Sequence, residues 1–326
     1  MINVNNVALR NKKYIDLFCG IGGFHLALSS FGAECVFASD IDQYACDIYE
    51  KNFHIHPQGD IEKIKTTQIP DHDILCAGFP CQPYSISGNM QGFDDSQGRG
   101  KLFYDIIRIA RAKKPKIILL ENVKNLYYHN NGETFIHMRE KLNKIGYRTF
   151  FKVMKATDYG IPQARERLYI VAIQKRYNIK EFVFPEPLDY FSVLDDILIE
   201  PDISIDVSIK NEYIIDRPEL MERSKQLVKI GRTGLGRQGE RIYSIYGQAC
   251  TLSSQGGGPA GKTGMYYINN SVRKLYPREC ARLMGFPDSF ITAEMLSQCY
   301  KQFGNSVVVD IIQYIIIGLL NQLGEI

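Results

Sequence analysis

Cys81 stands in the run Pro80-Cys81-Gln82-Pro83, and the two prolines restrict what it can do. Each ring fixes its own φ and pushes the residue before it into extended backbone, so Phe79 and Gln82 are held straight. The thiol is presented stiffly, just after the apolar run Ile74–Ala77 and Gly78. A thiolate is a strong nucleophile once positive charge lowers its pKa. Glu121 follows the apolar run Lys116–Leu120, and a carboxylate at a strand end can give or take a proton. Arg165 and Arg167, two apart and entering the run Leu168–Ile173, can place both guanidinium groups on one face. Each has an ordinary alternative: Cys81 as a small buried hydrophobe, Glu121 as a structural acceptor, the arginines as a solvated pair. Chemistry follows only if the fold brings them to one crevice.

The elements that must position them alternate along the chain. Lys13–Leu17, Cys35–Ala38, Ile74–Ala77, Lys116–Leu120, Tyr147–Met154 and Leu168–Ile173 read as strands, with helices over Leu102–Ala112 and Thr134–Ile145. This alternation predicts an α/β sheet whose ligands gather at the carboxyl ends of the strands. Between the first strand and its helix lies Phe18-Cys19-Gly20-Ile21-Gly22-Gly23, a glycine turn that lets a nucleotide-like ligand approach the backbone. The pattern is not GxGxxG, because Leu26 stands where the third glycine would be. Asp40 lies twenty residues beyond Gly20, the spacing of an acid that accepts from ribose hydroxyls, and the Asp60 carboxylate could receive an exocyclic amine. Turn and acids in this order suggest an adenosine ligand. The absence of a GKS or GKT motif argues against a nucleoside triphosphate.

Length and charge set wider bounds. A chain of 326 residues can bury a large core and is expected to form two domains. Net charge is only +3, yet residues 221–282 hold eleven Lys/Arg against three Asp/Glu. A basic segment suits a polyanion, with Arg232 and Arg273 as candidates for phosphate contacts; a solvated charged face is the alternative. Within it, Gly236-Arg237-Gln238-Gly239-Glu240-Arg241 and Gln255-Gly256-Gly257-Gly258 combine close backbone approach with side chains able to reach base edges. Eight cysteines form no CxxC pair and no zinc spacing with the six histidines, which predicts free thiols, no metal and a reducing cytoplasm. The apolar run Val307–Leu320 is short and carries Asp310 and Gln313, so it is expected to pack on the sheet rather than cross a membrane.

Taken in order, Phe18-x-Gly20-x-Gly22-Gly23, Asp40, Asp60, Pro80-Cys81-Gln82, Glu121-Asn122-Val123, Gln163-x-Arg165-x-Arg167, Arg278-Glu279-Cys280-Ala281-Arg282 and Gly304-Asn305-Ser306-Val307 resemble the cytosine-C5 DNA methyltransferases over nearly the whole chain. In length and layout the chain is most similar to the small bacterial HhaI-type restriction–modification enzymes. The resemblance implies a Rossmann-like, S-adenosylmethionine-dependent methyltransferase fold of class α/β, a mixed sheet with helices on both faces, plus a smaller, mostly β target-recognition domain. Residues 1–190, completed by 301–326, would be catalytic, 191–276 would recognise DNA, and 277–300 would form a hinge. It implies that Cys81 attacks C6 of a flipped-out cytosine, that Glu121 serves N3 and the exocyclic amine, and that Arg165 or Arg167 serves O2 and the thiolate. Phe18, Gly20, Gly22, Gly23, Asp40, Ile41, Asp60, Ile61, Pro80, Leu102, Asn305 and Val307 would hold S-adenosylmethionine, leaving S-adenosylhomocysteine as product. Ser85, Ser87, Arg237, Gln238, Arg241, Thr251, Gln255, Gly256 and Gly257 would contact double-stranded DNA, Gln238 and Ser87 filling the space the base leaves. A monomer in the bacterial cytoplasm, with a companion restriction endonuclease encoded nearby, is the implied setting. Asp40 departs from the family, many of whose members carry Glu there, and the loop before Lys101 is slightly longer. An RNA (tRNA) cytosine-C5 methyltransferase, a catalytically silent DNA-binding regulator and a nicotinamide oxidoreductase are the competing readings.

Overall fold

A computed structural model describes residues 8–80, 102–200, 204–217, 219–220 and 222–324. They form two compact units: Met1–Met154 with Glu166–Glu186 and Ile312–Ile326, and Lys155–Arg165 with Pro187–Ile311.

The first unit is built on strands β1 (Lys13–Leu17), β2 (Glu34–Ser39), β3 (Ile74–Ala77), β4 (Ile117–Val123), β5 (Tyr147–Lys155) and β6 (Glu166–Gln174), in the order β2-β1-β3-β4-β6-β5. β2, β1, β3 and β4 pair in parallel, and β6 runs antiparallel to β4. The helices are α1 (Gly23–Ser29), α2 (Gln43–Phe53), α3 (Leu102–Lys113), the short α4 (Asn125–Tyr128) and α5 (Glu133–Lys144). Side chains alternate across the strands. Ile15, Leu17, Leu75, Ala77, Ile118 and Leu120 pack with Phe103, Ile106 and Ile109 of α3 and Phe135, Met138 and Leu142 of α5. Tyr14 and Asp16 point to the other face, where the Tyr14 ring meets His25 of α1 edge-on.

The second unit carries an antiparallel-dominated sheet, β7 (Tyr213–Ile215), β8 (Lys229–Thr233), β9 (Arg241–Ser244), β10 (Met265–Ile268) and β11 (Ser271–Arg273), in the order β11-β10-β9-β8-β7. Asn269 and Asn270, both at positive φ (51° and 62°), form the two-residue hairpin joining β10 to β11, a turn that favours asparagine. Ile230, Ile242, Met265 and Val272 make its core. Helices α6 (Pro277–Arg282) and α7 (Leu296–Asn305) come next, and α8 (Val309–Leu323) ends the chain. The stretch Leu296–Leu323 is apolar and long enough to cross a membrane by composition, but 61% of its most apolar window is buried inside the protein. In the first unit α8 is fastened by Gln313, which donates to the Ser30 hydroxyl, and Gln322, which donates to the Val183 carbonyl.

Two differences from the sequence-based expectation matter. Glu121 is not beyond a strand but inside β4, because pairing with β6 extends that strand to Val123. Arg273 is not displayed for phosphate: both its amino groups meet the fully buried Glu279 carboxylate, at 2.7 and 2.8 Å. Glu279 also accepts from the backbone N–H of Tyr276 (2.8 Å) and Ile199 (3.2 Å), so one carboxylate joins β11, the start of α6 and the 199 segment. Removing one partner of a buried pair strands the other charge at about 3–5 kcal/mol. Glu279→Gln should cost stability on that scale in urea unfolding; a loss below about 1 kcal/mol, the range of exposed pairs, would show the bond to be dispensable.

Candidate active site

Parallel register brings several turns to one edge of the first sheet. Leu17 pairs with Ser39 and with Ala77, and Ala77 with Leu120, so the turns leaving β1, β2 and β3 emerge beside Glu121. After β1 the chain turns through Phe18 (φ 54°), Gly20 (φ 53°) and Gly22 (φ 87°) into α1. A side chain on Gly22 would strike the Phe53 ring at 2.2 Å. That ring is stacked at 3.9 Å on His25, which is hydrogen-bonded to the Tyr49 hydroxyl at 2.7 Å. Burial lowers the His25 pKa to about 4, so the imidazole is neutral at pH 7 and acts as packing. At Gly20, by contrast, a Cβ would meet nothing within 4 Å; the turn opens outward there.

Asp40 ties this turn to the end of β2. One carboxylate oxygen accepts from Gly20 N–H and the other from Asp42 N–H, both at 2.8 Å. Burial nevertheless raises its pKa, outweighing those two donors. Gln58 exchanges backbone bonds with Ala38 and Asp40, which brings Gly59 and Asp60 alongside. Asp60 caps a short helical turn, accepting from Glu62 N–H at 3.0 Å, and its other oxygen lies 3.3 Å from Lys63. Ile61 is buried, whereas Ile41 is 79% exposed, a large apolar side chain left uncovered between these acids. Gly59, like Gly20, has open space where a Cβ would stand.

Asp16, one residue before the end of β1, is a candidate site residue that sequence patterning alone did not single out. It is fully buried, and neither carboxylate oxygen has a hydrogen-bond partner of ordinary geometry among the described residues; the nearest help is the backbone of His25. Burial first, and the charge of Asp40 second, raise its pKa well above the carboxylate range. An acid inside an otherwise apolar strand was the available signal, since an unpaired buried carboxylate is costly unless something binds it.

Glu121 is 7% exposed, and its Oε1 lies 3.2 Å from Nε of Arg167, whose Nη1 donates to the Glu166 carbonyl. The next residue, Asn122, donates to the Phe79 carbonyl at 3.1 Å and accepts from Val123 N–H at 2.9 Å. This fastens β4 to the backbone immediately ahead of Pro80. Leu102, half-buried, opens α3. Cys81, Ser85 and Ser87 lie outside the described residues.

In the second unit Arg165 is 2% exposed and gives its amino groups to the carbonyls of Leu252 (3.1 Å), Ser306 (2.6 Å) and Gly304 (3.4 Å). Gln163 donates to the Leu283 carbonyl and accepts from Leu252 N–H, and Thr251 donates to the Ala164 carbonyl. A Cβ on Gly304 would lie 2.3 Å from the Ser253–Ser254 peptide, so only glycine fits there. Asn305 is exposed beside it and Val307 is buried. The two glycine-rich loops also interlock: a Cβ on Gly239 would lie 2.7 Å from the Gly257 carbonyl, and Ala260 N–H donates to Gly239. They display Arg237, Gln238, Arg241, Gln255, Gly256 and Gly257 on the surface.

A family model of C-5 cytosine-specific DNA methylases matches residues 12–320. The Type II methyltransferase M.HhaI of Haemophilus parahaemolyticus is 49% identical, covering 97% of this chain and 96% of its own length. M.HaeII of Haemophilus aegyptius is 41% identical, with 97% and 95% covered. Among solved structures, the Entamoeba histolytica methyltransferase EhMeth superposes with a TM-score of 0.72 at 22% identity, over 97% of this chain and 100% of that one. The chain belongs to the C-5 cytosine-specific DNA methylases.

Proposed function

We propose that this protein methylates C5 of a cytosine in a short duplex DNA site, using S-adenosylmethionine and a covalent bond between Cys81 and C6. The observation that carries the reading is the end of β4, where Glu121 is paired with Arg167 and Asn122 holds the backbone two residues ahead of Cys81. Cytosine C5 is a weak nucleophile. Addition of a thiolate at C6 turns the ring into an enamine that is nucleophilic at C5 and drives charge onto N3 and O2; once C5 has taken the methyl group, loss of its proton expels the thiolate from C6 and restores the ring. Glu121 is the group to protonate N3 and accept from the exocyclic amine, and Arg167 the donor toward O2. Because C6 is sealed inside a duplex, the base must swing out.

Arg165 takes a different part. Its amino groups are engaged by three carbonyls, so its proposed role is to position the Gly304–Ser306 stretch that carries Asn305. The surroundings of the glycine turn fit S-adenosylmethionine: open backbone at Gly20 and Gly59, an exposed Ile41 for a flat ring, and acceptor sites remaining on Asp40 and Asp60. When bound, the cofactor supplies an electrophilic methyl group. Asp16 is proposed to face its positive charge. Arg237, Gln238 and Arg241 are proposed to read DNA, and Gln238 to fill the stack. One chain supplies every residue named, so a cytoplasmic monomer is the proposed working form. The Type II relatives suggest a companion restriction endonuclease.

Methyl transfer from labelled cofactor to duplex DNA, with tRNA as the comparison, tests the reading directly. With 5-fluorocytosine in the duplex, the wild type should leave an adduct that survives denaturation, and Cys81→Ser should leave none. An adduct persisting in that variant would move the nucleophile elsewhere.

The buried Asp16 adds a pH dependence. Burial raises its pKa, so at any pH below that raised value a cation arriving beside it must displace a proton. Cofactor affinity should therefore strengthen as pH rises toward the folded-state pKa of Asp16. Calorimetry in two buffers of different ionisation enthalpy should show proton release for the wild type and none for Asp16→Asn. Equal release by both proteins would remove Asp16 from the cofactor site.

A further inference from the structure

A furrow of about 470 Å³ runs along the first unit between one stripe of α5 and the start of β5, lined among others by Arg139, Asn143, Arg148, Thr149 and Lys175. It lies at the end of the sheet remote from Glu121. Because β6 runs antiparallel to β4, Ile173, two residues before Lys175, pairs with Ile117 at the first position of β4, whereas Arg167 pairs with Val123 at the last. Those six residue steps span about 20 Å. The length of the β4–β6 ladder thus separates the furrow from Glu121.

The furrow's cations are held in place but not neutralised. The Arg139 guanidinium lies 5.1 Å from the Phe151 ring centroid and 6.0 Å from that of Phe135. Arg148 spends one amino group on the Ile179 carbonyl at 2.7 Å. Lys175 donates to the Asn143 carbonyl at 3.1 Å. None of the three forms an ion pair among the described residues. Glu140 is the one carboxylate among the lining side chains. The Thr149 hydroxyl is sealed from solvent with no hydrogen-bond partner among the described residues. A cation at the carboxyl end of a helix is favourable in itself, which accounts for Lys175. It does not account for Arg139, fixed on aromatic faces a turn earlier, or for Arg148 on the strand. Both keep most of their five N–H donors free for an anion.

We propose that this furrow binds the phosphodiester backbone of a second duplex segment, distinct from the one being methylated. The inference rests on the DNA substrate of the family and not on the assignment of any catalytic residue. Charge complementarity selects the occupant: an open, basic furrow with a single side-chain amide suits a regular line of phosphates and carries almost nothing to read bases. Holding two segments lets the enzyme pass from one stretch of DNA to another without first dissociating into solution.

The test is a sandwich capture with the full chain. A duplex that the protein methylates is immobilised, sparse protein is bound to it, and capture of a labelled duplex lacking the target is measured across salt concentrations. Wild type should capture the second duplex, with log affinity falling linearly against log salt. Arg139→Gln with Arg148→Gln should capture it about tenfold more weakly, with a salt slope lower by roughly 2, one for each arginine withdrawn from a phosphate. Methylation of a short duplex should be unchanged in that variant. Arg148→Glu alone, which leaves the aromatic contacts of Arg139 intact, guards against a folding defect and should also lose capture. Absence of capture by immobilised wild type, or equal capture by both variants, overturns the proposal. So does competition by polyglutamate as effective as that of duplex at equal charge, which would make the furrow a general anion surface. Retention of protein on the first duplex is scored separately, so failure to bind DNA at all is distinguishable from failure of the furrow.

Discussion

Parallel pairing of β2, β1, β3 and β4 is the constraint on which the chemistry of the first unit depends. The register Leu17↔Ser39, Leu17↔Ala77 and Ala77↔Leu120 makes four strands run out at one edge. Among the described residues the candidates there sit on a turn or near a strand end: the glycine turn after β1, Asp40 after β2, Pro80 after β3 and Glu121 near the end of β4. Two polar bonds keep the edge from fraying. Asp40 joins the first turn to the end of β2 through Gly20, and Asn122 joins β4 to the segment after β3 through Phe79. Each is a side chain satisfying backbone at a place where the ladder has ended, which is where orphaned backbone groups would otherwise face solvent.

The two arginines show how much depends on one step along the chain. Arg165 and Arg167 look equivalent in sequence, yet β6 begins between them at Glu166. From within the strand, Arg167 reaches Glu121, a neighbour fixed by antiparallel pairing of β4 with β6. Arg165 precedes the strand and belongs to the second unit, where it holds three carbonyls. A guanidinium with five donors suits either task, one anion or several carbonyl dipoles, and only the position of the partners decides between them.

Much of the fold was legible because its signals are local. Apolar runs such as Ile74–Ala77, broken by glycine or proline, marked the strands within a residue or two except at the end of β4, and Gly20 and Gly22 marked the turn because positive φ is cheap only for glycine. What escaped were facts about pairing. Nothing in the residues of β4 says that β6 will lie against it and lengthen it past Glu121. Nothing in the basic stretch 221–282 says that Arg273 is neutralised by Glu279. Charge counts along a sequence treat every cation as free, and a buried bidentate pair removes one without trace. The interlock of Gly239 with Gly257 was hidden for the same reason, since Gly239 is needed for its close approach to the Gly257 carbonyl and not for its own φ.

The first unit's acids differ from Glu279 in a way that bears on both stability and binding. Glu279 is compensated by Arg273 and two N–H groups, whereas Asp16 has no ion-pair partner among the described residues and Asp40 has only backbone donors. Both aspartates have pKa values raised by burial, so the folded chain holds their protons more tightly than the unfolded chain does. Below the unfolded carboxylate pKa both states are protonated and burial of the charge costs nothing. As pH rises past that value the unfolded chain ionises first, and stability declines until the folded pKa is reached. A cation placed against Asp16, as proposed, would reverse the sense of the effect, because it favours the ionised carboxyl that burial alone disfavours. The edge of the sheet therefore carries two acids whose charged forms the empty fold disfavours, a cost that a positively charged ligand would offset.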